Sequence, residues 1–261
     1  MIEVKKLTKS FEGRTVLNDI TAVFETGKTN LIIGRSGSGK TVLVKNLIGL
    51  VKPDAGEILF DGRNLLTMSK KEILVLRREM GLLFQGSALF DSMTVLENVM
   101  FPLDMFSDTT KAERIKRAMF CLERVELAPE TYNLYPSEIS GGMMKRAAIA
   151  RAIVLEPRYL FCDEPNSGLD PKTSLVIDEL IHDITIEYAI TTVINTHDMN
   201  SVMNIGETII FISEGVKEWQ GSKELVINSS NKALSDFIFA SELLKNAKKF
   251  EIEQNKDVAK T

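Results

Sequence analysis

The sequence predicts a mixed α/β fold, and three patterns carry that prediction. Short apolar runs rich in β-branched and aromatic residues, TNLIIG (29–34), YLFCD (159–163) and TTVINT (191–196), alternate with helical patterns, as in a parallel sheet covered by helices. Two other segments, EILFDGRNL (57–65) and TIIFISEGVKEWQG (208–221), set Asp-Gly and Glu-Gly between strand-like residues and read as hairpins, hence an antiparallel portion. Between about 86 and 155 the strand signal fades.

Taken in chain order, TNLII is a buried strand that runs through a glycine-rich turn into the helical pattern KTVLVKNLIGL. The stretch 86–155 is read as a helical insertion. Within it KAERIKRAMFCLERVEL (111–127) puts Ile115, Ala118, Met119, Leu122 and Val125 on one helical face. From about 228 to 261 the chain starts as an amphipathic helix (Leu234, Phe237, Ile238, Leu243, Leu244) and ends in a polar, Lys-rich tail that is expected to be disordered. The division is therefore a main domain, 1–227, with a helical part at about 86–155, and an extension, 228–261. There is no internal repeat.

Composition narrows the function. A chain of 261 residues can bury a sizeable core, and 26% charged with 44% hydrophobic residues is ordinary for a folded protein. Lys and Arg number 32 against 36 Asp and Glu, a net charge of −4 that argues against broad nucleic-acid binding, so no nucleic-acid partner is expected. Cys121 and Cys162 both sit inside apolar runs, without metal-ligand spacing, and fit a reducing compartment. The opening MIEVKKLTKSF lacks the apolar core of a signal peptide, and the mature chain is expected to begin there. No run of roughly 18 apolar residues could span a bilayer. Any membrane role is expected to run through a partner.

The chemistry starts at GRSGSGKT, which satisfies G-x-x-x-x-G-K-[ST] between a strand and a helix. Backbone N–H groups of Gly34, Arg35, Ser36, Gly37, Ser38, Gly39, Lys40, Thr41 and Val42 can surround phosphate oxygens at the positive end of the following helix. Lys40 is expected on the outer phosphates and Thr41 on Mg²⁺. The run YLFCDE (159–164) ends a buried strand in two carboxylates, where strand ends commonly face a ligand crevice. Asp163 can help hold the metal, which leaves Glu164 to orient or deprotonate an attacking water.

Further motifs name a family. The run ISGGMMKRAAIARAI (139–153) directly precedes the acidic strand, Gln85 follows GLLF, SGLD stands at 167–170 and His197 follows VINT. In this joint order the motifs resemble those of the ATP-binding-cassette (ABC) ATPases of transporters, over roughly 1–225. The resemblance implies a P-loop NTPase (RecA-like) core with an antiparallel β portion and a helical insertion, an ATPase activity, and ATP and Mg²⁺ as ligands. It implies that Phe11 stacks on adenine with Val16 beside it, that Gln85 senses Mg²⁺ and the attacking water, and that His197 hydrogen-bonds the γ-phosphate. It also implies that Ser140, Gly141 and Gly142 face the ATP held by a second copy, with Asp170 at that interface. Two phosphate-binding elements on one chain then mean a head-to-tail homodimer with two composite sites.

Where most of the family has Leu-Ser-Gly-Gly-Gln, this chain has Ile139-Ser-Gly-Gly-Met143, and FQGSALFDSMTVLENVMFPL (84–103) is similar to the matching segment of Mla-type phospholipid-transport ATPases. That resemblance implies a multi-span permease, an MCE-domain lipid-binding protein, and a peripheral place on the cytoplasmic face of the inner membrane. Met93, Met100, Phe101, Met105 and Phe106 are candidates for a groove that receives a permease helix, since methionine-rich surfaces adapt to a partner. The alternatives are an importer of another solute, a lipoprotein extractor, and a cassette ATPase in mechanical signalling.

Overall fold

The computed structural model describes residues 1–227 and 229–239; Leu243, Leu244 and the tail fall outside the described residues. The strands are β1 (Ile2–Phe11), β2 (Arg14–Phe24), β3 (Thr29–Ile33), β4 (Ala55–Phe60), β5 (Arg63–Asn64), β6 (Met80–Leu83), β7 (Tyr159–Asp163), β8 (Thr191–Asn195), β9 (Thr208–Ser213) and β10 (Val216–Gly221). The helices are α1 (Lys40–Leu47), α2 (Lys70–Arg78), α3 (Val95–Phe106), α4 (Lys111–Arg124), α5 (Gly141–Ile153), α6 (Pro171–Glu187), α7 (Met199–Ile205), α8 (Lys223–Ile227) and α9 (Lys232–Ile238).

The strands form two sheets. One is antiparallel, in the order β2-β1-β4-β5; the other runs β10-β9-β3-β8-β7-β6 and is parallel except for β10 at its edge. Both expected hairpins form, turning at Asp61-Gly62 and Glu214-Gly215, but they belong to different sheets. The sequence reading was silent on β1 and β2, which pair around Glu12-Gly13. Both are half-exposed strands, and their register is interrupted by bulges, which blurs the period-two signal.

The side chains of β3 alternate across the larger sheet and so divide the core. Ile32 joins Leu17, Leu43, Phe60, Phe161 and Ile210 in a core with the antiparallel sheet, α1 and α2. Leu31 and Ile33 join Val99, Leu122, Ile149, Ile181 and Val202 in a second core, roofed by the helices on the other face. No strand interrupts the chain between β6 and β7, as expected for a helical insertion. The starts of α2, α3 and α4 are set by reciprocal caps, Ser69 with Glu72, Thr94 with Glu97 and Thr110 with Glu113, each contributing about 1 kcal/mol.

Two expectations need correction. Along α4 and its C-cap, Ala118, Leu122 and Val125 are buried, but Met119 is 43% exposed and Cys121 is buried instead. Of the five candidates for a docking groove, Met100 is buried in the core, whereas Met105 and Phe106 stand exposed, Phe106 under the guanidinium of Arg78.

A buried amide anchors the start of the insertion. Asn98 Oδ1 accepts from the Phe90 amide at 2.7 Å, and its Nδ2 donates to the carbonyls of Phe90, Met93 and Thr94 at 3.0–3.1 Å, which folds the loop after Gln85 onto α3. Asn98→Leu leaves those groups buried without partners, and urea unfolding should show a loss of about 3 kcal/mol.

Candidate functional site

The parallel strands β3, β6, β7 and β8 end at one edge of the sheet, where open α/β sheets bind ligands. A cavity of about 860 Å³ lies there, lined by Val16, the loop from Gly34 to Val42, Gln85, Asp163, Glu164, Asn195, His197 and Phe237. The chain leaves β3 through Gly34, at φ +151°, where a Cβ would stand 2.1 Å from the Ile212 carbonyl oxygen. At Gly39, φ +105°, just before α1, a Cβ would stand 2.8 Å from the Leu17 side chain and 2.9 Å from the Val16 carbonyl oxygen. Only glycine fits either passage.

Within the loop, Lys40 is 8% exposed and donates to the Gly34 carbonyl at 2.8 Å and the Arg35 carbonyl at 3.1 Å. Burial lowers its pKa, while Glu164 and Asp163 pull it back up. A charged donor held by carbonyls of its own glycine-rich loop is poised for phosphate. The Ser38 hydroxyl is buried without a partner in the same loop.

Thr41 and Asp163 converge on one amide. Asn195 Nδ2 donates to Asp163 Oδ1 at 2.6 Å and reaches Thr41 Oγ1 at 3.5 Å, and Asn195 Oδ1 is buried without a partner. A hydroxyl beside a single carboxylate is a hard-oxygen donor set that suits Mg²⁺, with the remaining ligands supplied by phosphate and water. Among the described residues no group of three or more His, Cys, Asp and Glu could hold a metal unaided.

Glu164 and His197 meet directly, Oε1 to Nδ1, at 2.7 Å. Glu164 is largely buried and holds a left-handed backbone, φ +49°, a strained conformation for a side-chain-bearing residue and one that clusters at functional sites. Gln85 Nε2 donates to Ser167 Oγ at 3.1 Å, while the Gln85 carbonyl accepts from the buried Lys145 ammonium, so the end of β6 is tied both to the turn after Glu164 and to α5.

The other predicted residues lie apart. Ser140, Gly141 and Gly142 share a separate surface cavity of about 550 Å³ with Gly168, Asp170 and Thr173. Ser140 caps α5 through the Met143 amide, and Asp170 caps α6 through the amides of Lys172 and Thr173. Phe11, at the end of β1, is 43% exposed with the Lys9 ammonium 5.1 Å from its ring centroid, and is not among the residues lining the main cavity. Sequence reasoning missed Asn195, whose only signal is a polar residue ending a buried β-branched run. It also missed Lys145, and it read Phe237 only as part of an amphipathic helix, although α9 brings that ring against Phe211 at the cavity wall.

A family model described as ABC transporter matches residues 17–167. The chain belongs to the ABC transporter family. The cassette is similar to the probable ribonucleotide transport ATP-binding protein Mkl of Mycobacterium leprae, 38% identical over 91% of this chain and 68% of that one. It is similar to the methionine import ATP-binding protein MetN of Latilactobacillus sakei, 37% identical over 94% and 71%. It is also similar to the intermembrane phospholipid transport system ATP-binding protein MlaF of Haemophilus influenzae, 35% identical over 91% and 90%. Among solved structures, the dimeric ABC transporter cassette MJ0796 superposes with a TM-score of 0.77 at 33% identity, over 85% of this chain and 99% of that one. That cassette is also known in a dimeric post-hydrolysis state with ADP and Pi. ABC cassettes bind and hydrolyse ATP, and this chain is an ATPase of that class. No helix among the described residues is long and apolar enough to cross a membrane.

Gly34→Ala forces Ile212 and the loop apart; thermal or urea unfolding should show at least about 2 kcal/mol of destabilisation, with ATP binding lost in parallel.

Proposed function

We propose that this cassette is the ATPase subunit of a phospholipid transporter, working as a homodimer with a multi-span permease and an MCE-domain lipid-binding protein on the cytoplasmic face of the inner membrane. The observation that carries the lipid reading is the similarity to MlaF, 35% identical over 91% of this chain. The Ile139-to-Met143 motif and the segment 84–103 support the same reading.

In this mechanism the loop amides and Lys40 hold the β- and γ-phosphates, and Val16, with Phe11, takes the adenine. Thr41, Asp163 and Gln85 would hold Mg²⁺, which would neutralise charge on the phosphate oxygens. Glu164 accepts the proton of the attacking water and, through its 2.7 Å contact, fixes the ring of His197 toward the γ-phosphate. Ser140, Gly141, Gly142 and Asp170 act on the ATP of the other copy. Their separation from the main cavity within one chain supports a site completed only by dimerisation. Closure around two ATP and opening after hydrolysis drive the permease.

Glu164→Gln should retain ATP binding and lose at least about 100-fold in turnover. Lys40→Ala should weaken ATP binding by about tenfold or more, as for the loss of a charged hydrogen bond. A Glu164→Gln variant that turns over at the wild-type rate would remove Glu164 as the base. Met105→Glu with Phe106→Glu should abolish permease-stimulated ATPase while leaving ATP binding intact; unchanged complex formation would exclude that patch as the docking surface. The substrate is tested by purifying the tagged protein from its native membrane in mild detergent and identifying proteins and lipids by mass spectrometry. A multi-span permease, an MCE-domain protein and phospholipid are expected. A soluble solute-binding protein without lipid would replace the lipid reading by import of another solute.

A further inference from the structure

Behind the contact between Glu164 and His197 lies a second tie, which no step of the mechanism uses. Asn166, two residues after Glu164, is buried, and its Nδ2 donates both to Asp178 Oδ1 of α6 at 2.8 Å and to Ser201 Oγ of α7 at 3.0 Å. Asp178 is 1% exposed and Ser201 1%. α7 begins directly after His197 and Asp198, so this cluster joins in the interior the two loops whose tips carry Glu164 and His197. The same turn presents Ser167 to Gln85.

Two acceptors in the cluster are left over. Asn166 Oδ1 and Asp178 Oδ2 are buried, and neither has a donor. A single proton on the carboxyl group supplies the missing donor, whereas a carboxylate there would be a buried charge without a cation. The titratable groups facing Asp178 are Asp198 at the start of α7, Glu179 on its own helix and the Cys162 thiol on β7, all neutral or anionic.

We propose that Asp178 is a positioning residue for ATP hydrolysis, its protonated carboxyl group locking the Asn166 amide that bonds Ser201 and thereby holding the Glu164 loop in register with the His197 loop. The proposal rests on the reading of Glu164 and His197 as the pair that positions water. Burial raises the Asp178 pKa to about 6; hydrogen bonds from Ser201 and Asn166 oppose that rise, and Asp198 and Glu179 add to it. Because the folded value lies above the unfolded one of about 3.9, the stabilisation is complete below the unfolded value and is lost as pH rises through about 6.

The test compares Asp178→Asn and Asp178→Ala. Asparagine keeps the acceptor and supplies the missing N–H at every pH. In urea unfolding of the isolated chain, wild-type stability relative to Asp178→Asn should fall steadily between pH 4 and 7; a difference independent of pH would overturn the protonated acid. Hydrogen exchange of Asp178→Ala should rise in both 164–170 and 197–203, while Asp178→Asn leaves both protected. Exchange confined to α6 would reduce Asp178 to a packing residue. In the assembled transporter, Asp178→Ala should lower kcat about tenfold with KM for ATP within about twofold, and Asp178→Asn should restore it. Wild-type kcat in Asp178→Ala, or no rescue by asparagine, would refute positioning. Should Glu164→Gln prove active, the exchange and stability results would still decide whether the tie exists, so the two readings fail separately.

Discussion

The site depends on one close approach, the passage of Gly34 beside the Ile212 carbonyl. It brings the end of β3 against the end of β9 with no room for a Cβ, and the chain can only turn upward into a loop whose amides face the cavity. α1 then starts at Lys40, so the positive end of this helix and a buried ammonium stand at one place. That concentration of donors makes phosphate the natural occupant.

Around this fixed loop the acidic and polar groups arrive on separate strands, and short polar ties hold them in register. Asn195 connects β8 to Asp163 of β7 and to Thr41 of α1. Gln85 connects β6 to Ser167, and Glu164 meets His197. Every one of these bonds crosses between elements distant in sequence. The catalytic geometry therefore follows the parallel register of the sheet, and a shift of one strand would separate the bonds which that strand carries. The buried Asn166, Asp178 and Ser201 extend the same principle one layer deeper.

Much of this was legible beforehand. The strands β3, β7 and β8 follow from β-branched runs bounded by turn residues, and the phosphate loop from glycines at fixed offsets before Lys40 and Thr41. The pairing of the two carboxylates with that loop followed from their place at a strand end. What stayed hidden has physical reasons. β1 and β2 are half-solvated and bulged, so their alternation is broken. Met119 and Cys121 sit two positions apart on α4, and only the packing of α4 against its neighbours decides which turns inward. Lys145 looks like an exposed cation and Asn195 like a polar end to a buried strand until burial gives them partners.

The sequence by itself determined the elements that local chemistry dictates: a glycine loop between strand and helix, the acidic strand end, the helical insertion and the order of the motifs. Those features depend on residue type and spacing within a dozen positions. Tertiary structure alone decided that Ser140 and Asp170 stand away from the main cavity while Phe237 lines it, and that Asn166 reaches Asp178 and Ser201. Such contacts join positions 12 to 35 residues apart or more, and only the packed sheet and helices fix which of them meet.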